Sequence, residues 1–404
     1  MTQLPDPDLD DAPAWVAEHF GALTLDGPAG VRRSTRFTGG QAAADAALSA
    51  FSVRGYAARR NQVLPESARG ASGLSPFIRH GLLTLPRVWD AVAGGPGRDV
   101  GKFRDELLWQ EYARHLYARV GRAIRRPLRR EPAVGEGWSG DPWPTEMACL
   151  AEIDRSLTEE GWLVNQSRMW AASQWTVRAG QRWQDGERGM FRQLLDGSTA
   201  ANGLGWQWTI GAGTGKPYGF SRWQVEKRAP ELCRQCPLRQ RCPIQSWPQS
   251  QPGTGVEPVA VLRHDPDPTR TAGPAEPRLT GSPEAVWLTA ESLGDDDPAL
   301  AAHPELPVVF VFDAPLLARL RLAGHRLVFL TEALADLGRR RAVEVHLGDP
   351  TQVLAGRRLA VTYAPVPGFA VRAGHLDVAA LHPWPWLRRP SGGSVASFTA
   401  WVRR

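Results

Sequence analysis

Apolar residues recur at helical spacing from Gln41 to about Pro230, as in Phe103, Leu107, Leu108, Tyr112, Leu116 and Tyr117, with few β-branched runs. This half of the chain reads as all-helical. Between Trp247 and Pro283 the periodicity stops and Pro, Gly, Asp and Ser dominate, which is linker or long-loop composition. A different pattern follows. Ala285-Val286-Trp287-Leu288, Val308-Val309-Phe310-Val311-Phe312, Val343-Glu344-Val345-His346-Leu347 and Leu359-Ala360-Val361-Thr362-Tyr363 read as short strands, with a helix predicted over Pro315 to Leu322. Arg326-Leu327-Val328-Phe329-Leu330 is either one more strand or part of a continuing helix. Apolar strands separated by helices imply a parallel sheet with helical crossovers. The expected architecture is α plus α/β: an N-terminal segment 1–34, a helical domain 35–246, a linker 247–283 and a doubly wound parallel-sheet domain 284–404.

Composition narrows the class. The 404 residues are 42% hydrophobic and 22% charged, ordinary for folded domains with substantial cores, so overall disorder is excluded. The start, Met1-Thr2-Gln3-Leu4-Pro5-Asp6, is acidic, and no apolar run reaches the roughly 18 residues of a membrane span. A soluble, cytoplasmic, monomeric protein without a membrane partner is the expectation. Residues 51–250 carry 29 Lys and Arg against 19 Asp and Glu, although the whole chain is only +6. The densest stretch is Arg114, Arg119, Arg122, Arg125, Arg126, Arg129 and Arg130. A solvated helix face would carry such charges; so would a surface for nucleic-acid phosphates, which arginine suits. Nine of the seventeen Trp lie between Trp109 and Trp208. An aromatic core accounts for that density, as would stacking surfaces for planar ligands or a chain of oxidisable rings.

Four segments in the helical half carry chemistry. Gly55-Tyr56-Ala57-Ala58-Arg59-Arg60-Asn61 precedes Ser72-Gly73-Leu74-Ser75-Pro76-Phe77-Ile78-Arg79-His80-Gly81. Small hydroxyl residues and free backbone N–H groups at a helix start can cradle phosphate oxygens, although Ser-Gly-Leu-Ser-Pro is also an ordinary helix cap. Further on come Glu106-Leu107-Leu108-Trp109-Gln110-Glu111-Tyr112, then Gly161-Trp162-Leu163-Val164-Asn165-Gln166-Ser167-Arg168-Met169, then Asp196-Gly197-Ser198-Thr199-Ala200-Ala201-Asn202-Gly203-Leu204-Gly205-Trp206-Gln207-Trp208. In this order, over roughly residues 35 to 230, they resemble the FAD-binding domain of the DNA photolyase and cryptochrome family.

The resemblance implies roles. Tyr56, Ser72, Gly73, Leu74 and Ser75 would bind FAD, with Gln110, Asn165, Arg168, Asp196, Ser198 and Asn202 around the flavin. Arg168 and Asp196 match an ion pair beside the isoalloxazine, and Asn202 the amide facing N5. Glu106, Trp109, Asn165, Met169 and Trp208 match the pocket for a flipped-out pyrimidine dimer in DNA. Trp206 and Trp183 match the inner members of a tryptophan electron chain, with Trp143 or Trp138 as the outer one. Two positions depart: Ser198 replaces the second Asp of the family's Asp-Gly-Asp, and Gln110 its Arg. The implied function is light-driven repair of cyclobutane pyrimidine dimers; a blue-light photoreceptor on the same scaffold is the alternative. A flavin-free nucleic-acid-binding protein fits the charge but not the four motifs.

The chain's four cysteines are Cys149, Cys233, Cys236 and Cys242. A C-x2-C-x5-C spacing with one distant partner, in a cytosolic setting, points to thiolate ligation of a metal; a zinc site and uncoordinated thiols are the other options. The pattern resembles the iron-sulfur bacterial photolyases, which implies a 4Fe-4S cluster. Finally, Val286 to Leu300 resembles the stretch that opens photolyases, and Ser397-Phe398-Thr399-Ala400-Trp401 the one that closes their antenna domain. The family's usual first domain would then stand last, a circular permutation. Thr289, Glu291 and Leu293 replace the Arg-x-Asp-Leu-Arg core, so the antenna chromophore is unknown.

Overall fold

The computed structural model describes residues 2–135 and 137–403. Helices run through the first half, and a seven-stranded sheet dominates the second. Its strands are β1 (Thr2–Gln3), β2 (Arg278–Leu279), β3 (Ala285–Leu288), β4 (Val308–Asp313), β5 (Val343–Gly348), β6 (Arg358–Thr362) and β7 (Asp377–His382), in the spatial order β1-β5-β4-β3-β6-β7-β2. The inner five are parallel, and the two edge strands pair antiparallel. The order reverses between β3 and β6, which makes the sheet doubly wound with a switch point there. All four residues of β3 and five of the six in β4 are buried, because helices cover both faces.

Arg326-Leu327-Val328-Phe329-Leu330 belongs to a 15-residue helix, Gly324–Gly338, and is not a strand. Residues 324–337 are all buried, and the continuous apolar run Leu327-Val328-Phe329-Leu330 fits a buried strand as well as a buried helix, which left the segment ambiguous.

Residues 2–34 complete the α/β unit. β1 extends the sheet beside β5, and the helix Ala12–Phe20 lays Trp15, Val16 and Phe20 on the core, with Phe20 4.4 Å from the Phe312 ring. The stretch 247–283, expected as a linker, is also built in. It holds the short helix Pro268–Ala272 and β2, and Asp265 forms a fully buried ion pair with Arg119 at 3.2 Å. Gly273, at φ +71°, lets the chain pass over the Tyr363 ring, where a Cβ would stand 2.4 Å from Cγ. The segment thus follows the surface of both units as a packed strap.

The two units meet where the loop after β3 crosses residues 79–82. His80 bridges the carbonyls of Ala290 and Leu195, and Leu293 N–H donates to His80 O at 2.9 Å. Among the described residues, no helix is long and apolar enough to cross a membrane.

Candidate functional site

Three helices surround a cavity of about 450 Å³, within the usual range for a small-molecule site. The helix Gly97–Val120 turns Glu106, Trp109, Gln110, Ala113, Arg114 and Tyr117 toward it, the three- and four-residue spacing of one helix face. Asn165–Ala172 contributes Asn165, Arg168 and Met169, and Thr199–Thr209 contributes Asn202, Trp206 and Trp208. Tyr56, Ser72, Gly73, Ser75, Asp196 and Ser198 complete the expected lining. Leu74 does not line it: its side chain is fully buried in the adjoining core. Ser75 accepts a hydrogen bond from Trp162 Nε1 at 2.9 Å.

The charges are held in defined places. Arg168 Nη2 donates to Asp196 Oδ2 at 2.7 Å and its Nε to Leu163 O at 3.0 Å. The other Asp196 oxygen, Asn202 Nδ2 and Trp206 Nε1 are buried without a hydrogen-bond partner. Leaving such a group unmatched costs about 1–3 kcal/mol, so three of them around one cavity mark the positions of ligand atoms. An acceptor beside donors suits a heterocycle bearing both N–H and C=O groups, as the flavin ring does. Glu106 is held by Arg60 Nε at 3.3 Å and Lys102 Nζ at 3.2 Å. Burial, and then the Glu106 charge, push the Tyr56 phenol well above its ordinary range. Ser198 caps the Thr199–Thr209 helix by accepting from Ala201 N–H, so the hydroxyl fixes the helix that carries Asn202 and Trp206.

Trp109 stacks on Phe398 of the C-terminal helix, with ring centroids 4.0 Å apart and planes within 7°. One face of Trp109 is therefore covered from outside the cavity. Trp208 lies at the mouth, 41% exposed. Trp183 is buried and outside the lining, with its indole N–H also unpartnered. Trp143 donates to the Asp154 carboxylate at 3.0 Å.

Several lining residues were not singled out from sequence. Arg60, Asn61 and Arg79 fall within the quoted motifs, and Arg114 lies one turn beyond Gln110, so helical spacing was the signal for it. Glu291, Pro365 and Val366 come from the α/β unit, after the switch-point strands β3 and β6. Glu291 pairs with Arg79 at 2.6 Å. Nothing local in the sequence ties them to the cavity.

Cys149, Cys233, Cys236 and Cys242 line a second, small recess with Met147, Leu232 and Ile244. Burial and the neighbouring thiols push the Cys149 thiol upward; burial takes Cys233 to about 11. Such thiols repel one another as thiolates, and a bound cationic group would offset that repulsion. Among the described residues no three His, Cys, Asp or Glu side chains are grouped closely enough to hold a metal ion.

Residues 103–229 match the family model described as the FAD binding domain of DNA photolyase. The deoxyribodipyrimidine photo-lyase of Synechococcus is 29% identical over 203 residues, 43% of this chain and 39% of that one. The enzyme of the same name from Thermus thermophilus is 31% identical over 188 residues, 43% of each chain. The chain thus spans about two fifths of the length of these relatives. A bacterial class III photolyase from Agrobacterium tumefaciens overlaps 48% of this chain and 44% of its own at 24% identity, with a TM-score of 0.41. In its helical domain, whose cavity gathers the motif residues of all four segments, the chain is similar to the DNA photolyase and cryptochrome family.

Proposed function

We propose that this protein is a light-driven repair enzyme for cyclobutane pyrimidine dimers in DNA. The supporting observation is that Glu106, Trp109, Met169 and Trp208 stand on the wall of the cavity that holds Arg168, Asp196 and Asn202. Arg168, Asp196, Asn202 and the 56–75 segment would hold FAD, whose reduced form would supply an electron on absorbing blue light. Arg168 offers a positive charge beside the ring, where a low dielectric magnifies it. Asn202 presents a neutral amide that can donate or accept. Glu106, steadied by Arg60 and Lys102, accepts hydrogen bonds from the pyrimidine N–H groups, and Trp109 and Trp208 replace the stacking lost on base flipping. The exposed arginines Arg122, Arg125, Arg126, Arg129 and Arg130 supply phosphate contacts. Trp206, on the cavity wall, is the inner end of the electron supply, with buried Trp183 as one candidate for the next ring.

The four cysteines serve as ligands of a 4Fe-4S cluster; the C-x2-C-x5-C spacing and the convergence of all four on one recess support this reading. The permuted order of the domains belongs to the same reading. Reduced, flavin-loaded protein given thymine-dimer oligonucleotide under blue light is expected to restore the bases, and Glu106→Ala and Trp109→Ala to lose most of that activity. Failure on both single and double strands would move the reading to a photoreceptor.

A further inference from the structure

Resting on the flavin reading of the cavity, we propose that Trp175, in place of Trp143, is the solvent-side end of the electron path, reached from Trp206 across Gly186. Trp206 lines the cavity and is 4% exposed. Gly186 has no side chain, and a Cβ there would stand 2.4 Å from Trp206 Cη2 and 2.6 Å from Trp175 Cδ1. The two ring edges are therefore no farther apart than those distances together, about 5 Å. Any larger residue at 186 would wedge into both rings.

Trp175 lies in a π-helical turn, Ser173–Arg178, and is the one residue of that turn that is not buried. The wider turn shifts its side chain out of the α-helical register. Its Nε1 donates to Arg182 O at 3.0 Å in an exposed contact.

The chemistry balances in one-electron steps. Trp206 gives one electron to the excited oxidised flavin, and Trp175 gives one to Trp206. A positive charge left on buried Trp206 is poorly solvated, whereas at Trp175 water stabilises it, so the hole moves outward. As its exposed bond to Arg182 O opens, the oxidised Trp175 indole releases its Nε1 proton to water, and a small thiol in solution returns one electron and one proton.

The test uses flavin-loaded protein with a small dithiol under blue light, following flavin bleaching and mapping oxidised tryptophan by mass spectrometry. Trp175→Phe is expected to slow photoreduction at least about tenfold at unchanged flavin content, with Trp143→Phe near the parent rate. In the flavin-free protein, hydroxyl radicals are expected to mark Trp175 and spare Trp206 and Trp183. Parent-rate photoreduction by Trp175→Phe, oxidation mapped to Trp143, or protection of Trp175 from hydroxyl radicals overturns the proposal alone. A Trp206→Phe variant that photoreduces at the parent rate overturns the flavin reading together with it.

Discussion

Asp196 shows how much a single side chain carries at this site. One of its oxygens holds Arg168 at 2.7 Å, while the other is buried facing no donor. Arg168→Ala would leave that charge unpaired beside the flavin position, so flavin affinity is expected to fall at least ~10-fold, read from flavin absorbance per protein after gel filtration. Full occupancy in the variant would remove Arg168 from the flavin site. The cysteines allow a comparable experiment. Anaerobically purified Cys149→Ala is expected to lose most of the iron and acid-labile sulfide of the parent; equal content would show the ligand set to be wrong. Motif and spacing single out both sets in the sequence: Arg168 and Asp196 each stand in a motif, and Cys233, Cys236 and Cys242 share one short spacing, with Cys149 distant. Phe398 was quoted in the sequence only as part of a domain-closing stretch. Its stacking on Trp109, 289 positions away, is a tertiary contact with no local signature.

The helix Gly97–Val120 does two jobs on two faces. One face lines the cavity, and the other carries Glu111, whose Oε1 accepts from the backbone N–H groups of Leu387 and Arg388. That joins the helix to the C-terminal segment at Leu387 and Arg388. Burial pushes the Glu111 carboxyl from its ordinary 4.5 up to about 7. The unfolded chain therefore loses this proton near 4.5 while the fold retains it until about 7, so the stability Glu111 contributes is lost as pH rises across that window. Glu111→Gln keeps an acceptor and cannot ionise. Thermal melts from pH 4 to 8 are expected to show the variant gaining on the parent between those values, and parallel curves would contradict the assignment. Periodicity predicted this helix from apolar residues at three- and four-residue spacing; Gly324–Gly338 stayed ambiguous because Leu327-Val328-Phe329-Leu330 is a continuous apolar run, which suits a buried strand and a buried helix alike.

Across the whole molecule, the first residues finish a unit formed mainly by the last ones. Phe20, 1% exposed, packs on Phe312 and anchors the N-terminal helix to the sheet. Phe20→Ala is expected to cost about 3–5 kcal/mol, measured from the urea midpoint, with a larger loss than a surface helix unconnected to the core would show. In the proposed permutation, the strap 247–283 must then do more than span a distance. It buries Asp265 against Arg119, which fixes the strap to the helical unit. The sequence by itself determined the helical half, the strands β3 to β6 and the four motif segments that line the cavity, because those rest on periodicity and on residues close together in the chain. Only the tertiary structure decided that residues 2–34 join the far sheet, that Glu291, Pro365 and Val366 close the cavity, and that Gly186 brings Trp206 and Trp175 together. Those contacts link positions tens to hundreds of residues apart, and their stability comes from surfaces buried together on folding, which no single segment displays.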